Sequence, residues 1–195
     1  QLAVIAGTLL AFHGAGDARP RYFPPGTFDH DPKFDRFVAD CYATDLIALR
    51  EPSLFERATS KTSTSFRFLL MPTAILPVAI RIDLQPDGTS ILVAKIARRP
   101  TQRAAGKLLG RAAKRLTAAD TRRVLDLVRA SKFWRLPTDT NRGGRDGEEW
   151  VIEGVEGGHY HFSAAWMPTE GPIYDLATLF RNLANGVLPH HDVVE

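Results

Sequence analysis

Glu148-Glu149-Trp150-Val151-Ile152-Glu153-Gly154-Val155-Glu156-Gly157-Gly158-His159-Tyr160-His161-Phe162-Ser163-Ala164-Ala165-Trp166 is two runs rich in β-branched and aromatic residues, split by a glycine pair. Such a composition predicts a β-hairpin, with strands Glu148–Val155 and His159–Trp166 and Glu156-Gly157-Gly158 as the loop. If Val155 stands opposite His159, alternation along the strands fixes the faces. Glu153 then falls opposite His161. His159, His161 and Glu153 share one face, while Trp150, Ile152, Tyr160 and Phe162 share the more apolar face that packs on the core.

Working outward, Gln85-Pro86-Asp87-Gly88 is a turn: proline presets the first torsion and glycine accepts positive φ. It joins predicted strands Val78–Leu84 and Ser90–Ala97 into a second hairpin, and Ser65–Met71 reads as a further strand before Pro72. Asp31-Pro32 is an N-cap followed by proline at the first helical position. The helix that it opens ends before Pro52, with Phe34, Phe37, Val38, Cys41, Ile47 and Leu49 as its expected buried stripe. On that stripe Cys41 is expected to behave as a small buried hydrophobe. Thr117-Ala118-Ala119-Asp120 caps a second helix, with Val124, Leu125, Leu127 and Val128 inward. A third runs from about Tyr174 to Asn185. Strand pairs on short turns with segregated helices predict an α+β single domain, an antiparallel sheet from two β-hairpins with about three helices packed mainly on one face.

The composition agrees with a globular chain. Of 195 residues, 44% are hydrophobic and 24% charged, which excludes disorder. A single cysteine excludes both an internal disulfide framework and a Cys-based zinc site. The net charge of +3 names no partner. Between Lys95 and Arg115 the chain carries eight basic residues and no acidic one. Without interleaved aromatics this run reads as a solvated crossing segment, flexible at Gly106 and Gly110, and no nucleic-acid partner is expected.

At the N-terminus, Leu2 to Phe12 is an apolar run broken only by Gly7 and Thr8, followed by small residues through Ala18. Residues 1–18 therefore read as a signal peptide truncated at its start, cleaved before Arg19, with 19–195 as one globular domain. This reading makes the protein periplasmic or secreted, with no stable membrane anchor after cleavage.

The chemistry rests on the hairpin. Two imidazoles and a carboxylate suit zinc with an open fourth position, so His159, His161 and Glu153 form a candidate metal site. Without metal, Glu153 and His161 are candidates for an acid/base pair. The same residues are also ordinary sheet composition, a cross-strand pair contributing only about 0.2–1 kcal/mol. Gly-x-Ser-x-Gly, phosphate-loop, His-Glu-x-x-His and GxGxxG motifs are all missing from the sequence. His190-His191 reads as a solvated terminal pair.

Asp146-Gly147-Glu148-Glu149-Trp150-Val151-Ile152-Glu153-Gly154, then Gly158-His159-Tyr160-His161 and Trp166-Met167-Pro168, resemble a family of uncharacterised bacterial exported proteins with Asp-Gly-x-x-Trp-x-x-Glu-Gly, Tyr-His and Arg-Trp-x-Pro motifs. Leu49-Arg50-Glu51-Pro52-Ser53-Leu54, Phe66-Arg67-Phe68-Leu69, Val78-Ala79-Ile80-Arg81-Ile82 and Phe133-Trp134-Arg135-Leu136-Pro137 extend the resemblance from about Phe34 to Leu183. It implies export and marks Trp150, Glu153, Tyr160 and His161 as binding candidates. His159 lies outside the motif, and Ala165 stands where it has Arg. The expectation is a non-enzymatic exported binding or protein-interaction protein without cofactor, partnered by another protein or an envelope component. The alternative is a small hydrolase, metal-assisted or acid/base, on the Glu/His face.

Overall fold

Gly157 and Gly158 both adopt positive φ, 58° and 89°, as a two-residue hairpin turn requires, and strands β5 (Glu148–Glu156) and β6 (His159–Trp166) close directly on them. This is the computed structural model's most consequential departure from the expected register. It describes residues 20–73, 76–139 and 146–187; the apolar segment at Leu2–Phe12 and the His190-His191 pair lie outside the described residues. Glu156 pairs with His159, Val155 with Tyr160, Gly154 with His161 and Glu153 with Phe162. The expected three-residue loop would leave Glu156 unpaired, and a glycine pair at positive φ spares that cost. Because alternation has period two, the one-residue shift moves Glu153 to the face opposite His159 and His161.

The sheet has six antiparallel strands in the order β4-β3-β2-β1-β5-β6. Strand β1 (Thr64–Pro72) joins the hairpins, pairing with β2 (Val78–Leu84) on one side and β5 on the other. Strand β3 (Ser90–Arg98) continues through the second hairpin, and β4 (Lys107–Leu116) follows it as an edge strand. The basic segment is thus largely sheet and not a flexible crossing. Leu116 is buried in the core, while Lys107, Arg111 and Arg115 are exposed, as an edge strand allows. Gly110 sits at a register shift beside Ile96 and Ala97.

The domain is α+β, as expected, but helices cover both faces of the sheet. On one face, α3 (Ala118–Ala130) and α4 (Pro172–Ala184) pack Val124, Val128, Leu176 and Phe180 against Phe66, Phe68, Ile80, Leu92 and Ile152. On the other, α1 (Pro32–Ala48), the short α2 (Leu54–Arg57) and residues Tyr22–Phe23 lie over Leu69, Ala79, Val151 and Phe162.

Helix α1 begins as the sequence indicates, Asp31 accepting from the Lys33 amide. Its rotation is different. Asp35, Tyr42, Asp45 and Leu46 face inward, while Phe34, Phe37, Ile47 and Cys41 are exposed, so Cys41 is not the buried hydrophobe expected. Specific polar partners fix the inward face. Asp35 accepts from the backbone amides of Gly26, Phe28 and Asp29, which against the effect of its own desolvation hold its carboxyl below the usual range. Asp45 takes a two-pronged bond from Arg99, Nε and Nη2 each at 2.7 Å.

Candidate binding site

Arg67, Arg81 and Glu153 stand at one level of three adjacent strands, because Arg67 pairs with Arg81 across β1–β2 and with Glu153 across β1–β5. Two arginines directly opposite each other repel, so the arrangement needs carboxylates around them. Helix α1 provides one by how it ends. Arg50 takes φ 50° and the Glu51 amide bonds back to the Leu46 carbonyl, which swings Glu51 over the sheet. Its carboxylate lies 3.3 Å from Arg67 Nη1, 3.5 Å from Arg81 Nε and 2.7 Å from Lys95 Nζ.

Glu153 completes the network. Its Oε2 receives Arg67 Nε at 2.9 Å and Nη2 at 2.5 Å, and its Oε1 receives the Tyr160 hydroxyl at 2.8 Å. Burial, with the Glu153 charge, pushes the Tyr160 phenol well above its ordinary value. Burial works the other way on Arg67, but Glu153 and Glu51 hold the guanidinium above its usual value. Glu51, Arg67, Arg81, Glu153 and Tyr160 thus meet in one buried layer. Both Glu153 oxygens are occupied and the side chain is fully buried. This is the chemistry of a structural ion network.

The other candidates lie elsewhere. His161 is half-buried on the α3–α4 face, 5.0 Å ring to ring from Phe133 and with the Leu136 backbone as partner. His159 is exposed at the hairpin end. The candidate metal set His159, His161 and Glu153 therefore does not converge, and among the described residues no group of three His, Cys, Asp or Glu side chains is placed to hold a metal. Nor do Glu153 and His161 meet as an acid/base pair. Trp150 is a core anchor: it is buried, stacked on Tyr174 at 5.8 Å, and covered by the Arg181 guanidinium.

A cavity of about 290 Å³ opens on the Glu153 face, two alternations along β5 from that residue, where Glu149 points the same way. Its aromatic wall combines a loop, a helix and a strand. Phe28 and Tyr42 stack at 5.0 Å and 9°, and both make T-shaped contacts with Phe162, at 5.1 and 5.3 Å. Phe34, exposed on α1, forms part of the mouth. Asp29 and Asp139 add carboxylates, and no Lys, Arg or His lines the cavity among the described residues. Desolvation, and then the Asp139 charge, raise the Glu149 pKa, against a lowering hydrogen bond from Tyr42. Burial and the Glu149 charge raise the Tyr42 phenol in turn. A larger hollow of about 670 Å³ between residues 20–26 and α1 mixes Arg21, His30 and Arg36 with Asp29, Asp35 and Asp40 and has no such bias.

Sequence reasoning missed Tyr42 and Glu149. Glu149 was readable in principle, since it shares the parity of Glu153. Tyr42 was not, because the apparent stripe of α1 pointed away from it. No family model matches the chain, and no curated protein matches it either. No helix of the described residues is long and apolar enough to cross a membrane.

Proposed function

We propose that this protein is a non-enzymatic binding protein of the periplasm or the secreted space, and that it takes its ligand in the cavity between α1, the 27–29 loop and the β5–β6 end of the sheet. The observation that carries the reading is that cavity. Concave, aromatic-walled space with a few convergent polar groups is the usual form of a ligand site, and Phe28, Tyr42, Phe162 and Glu149 have that form here. The hydrolase alternative loses its support, because Glu153 is held by Arg67 and Tyr160 while His161 lies across the sheet.

Export rests on the apolar Leu2–Phe12 run and on the family resemblance. Fractionation of cells with N-terminal sequencing tests it, the expected mature terminus being Arg19. Binding is tested by titrating the isotope-labelled protein with pooled small fragments and following amide shifts. Perturbation centred on Phe28, Tyr42, Glu149 and Phe162, abolished by Tyr42→Ala in a variant that keeps its fold, supports the reading. Perturbations scattered elsewhere, or none, overturn it.

A further inference from the structure

The carboxylates of this protein differ in how they are matched. Among the described residues, Glu153 has Arg67, Glu51 has Lys95 and Arg67, Asp45 has Arg99, Asp83 has Arg57, and Asp35 has three backbone amides. Glu149 has none of these. It is half-buried, it takes part in none of the salt bridges among the described residues, and its partner is the neutral Tyr42 hydroxyl. In a chain with 25 Lys and Arg residues, this partly desolvated carboxylate borders a cavity that no basic side chain lines among the described residues.

The wall beside it suits one chemical class. The aromatic rings of Phe28, Tyr42 and Phe162 line the space that Glu149 borders. Ring faces attract a cation through their quadrupole and still accept the methyl groups of an alkylated one. Among the described residues no three His, Cys, Asp or Glu side chains are placed to hold a metal ion, those of Asp29, Asp139 and Glu149 included. An anion would meet Asp29, Asp139 and Glu149 with no compensating charge among the described lining residues.

We infer that the cavity recognises a compact organic cation, an alkylated ammonium group whose charge pairs with Glu149 and whose methyl groups rest on Phe28, Tyr42 and Phe162. This inference rests on the binding role proposed above and names the ligand class of the same site.

The test uses two probes of equal shape: choline, which carries a fixed positive charge, and its uncharged carbon isostere 3,3-dimethylbutan-1-ol. Both are titrated into the labelled protein by nuclear magnetic resonance. Choline is expected to shift Tyr42 and Glu149 amides and to bind at least about tenfold more tightly than the isostere, the size of one well-placed cation–π or charge contact. Glu149→Gln is expected to bring choline down to the level of the isostere. Phe28→Leu, which keeps an apolar wall, is expected to weaken choline several-fold and leave the isostere unchanged. Equal binding of both probes overturns the cation inference while the cavity remains a binding site. Binding of neither also overturns it, and the fragment titration then decides separately whether the cavity binds anything. Choline binding that survives Glu149→Gln overturns the assignment of the charge to that residue.

Discussion

Arg67 is fully buried and touches both buried glutamates, so its loss leaves two carboxylates short of a cation in a medium that solvates them poorly. Breaking such a pair costs about 3–5 kcal/mol, far more than the pair's net contribution over apolar residues. Arg67→Met is therefore expected to lower the free energy of unfolding by that amount. Arg81 sits opposite it in the same layer but is held differently. Its Nη1 is buried without a hydrogen bond among the described residues, and burial, despite Glu51, lowers its pKa. Removing it leaves Glu51 with Lys95 and Arg67, so Arg81→Met is expected to cost less than about 1 kcal/mol. Urea unfolding of the two variants decides the matter, and equal losses would contradict the unequal roles. His161 gives a second expectation. Burial depresses its pKa below the ordinary 6.5, an effect only partly offset by the bond to the Leu136 backbone. Between the folded value and 6.5 the unfolded chain binds a proton that the folded chain refuses, so stability rises with pH there. The contribution is complete above about pH 6.5 and is lost as pH falls through the folded value. His161→Phe should flatten this part of the pH–stability curve, seen as a smaller gap between urea midpoints at pH 5 and pH 8. An unchanged gap would mean that other groups set the slope.

The hairpin and α1 show where local chemistry decides an element and where it does not. Both hairpins, the cap at Asp31 and the cap at Thr117 were legible, since each depends on residues a few positions apart. The faces were not. Counting Glu156 into the loop moved every side chain of one strand to the wrong side, and with it the supposed Glu153–His161 pair. In α1 the apolar residues marked a stripe that tertiary partners overrode, because Asp35 is bonded by the 26–29 loop and Asp45 by Arg99, just beyond β3. The network was invisible for a related reason: Arg67 lies 16 positions from Glu51 and 86 from Glu153, and only the fold brings them together. Two glycines of β5–β6 separate the constraints acting on this element. A Cβ on Gly154 would lie 2.7 Å from Phe133 and 3.0 Å from Phe66, so Gly154→Ala is expected to cost about 1–3 kcal/mol by overpacking. At Gly157 the space is open and only the positive φ is at stake, so Gly157→Ala is expected to cost about 1 kcal/mol. Thermal or urea unfolding checks the order, and a larger loss at Gly157 would place the constraint in the turn instead of the core.

A six-stranded open sheet has two edges, and this molecule treats them differently. Beside β6, the segment after the Phe133–Arg135 turn bonds to the edge, Ala164 donating to the Thr138 carbonyl, and Asp139 forms a parallel bridge with Ala164. Along β4 no further strand of the described residues is paired, and the edge carries Lys107, Arg111, Lys114 and Arg115. An unpaired strand of ten residues is a template for a second copy, and like charges on both copies oppose that pairing. Half of the basic run between Lys95 and Arg115 thus lies on this edge strand. Arg111 and Arg115 are exposed on the same side of β4, and Arg115 contributes only a solvent-facing contact to Asp87, worth little to folding. Replacing both with threonine, a good strand former, should leave the unfolding midpoint nearly unchanged while promoting concentration-dependent self-association, followed by light scattering across a dilution series. Lysine at both positions should restore the monomer. If the threonine variant remains monomeric at every concentration, the twist of the edge or the bulge at Gly110 guards it, and the cationic strand is then free for another explanation.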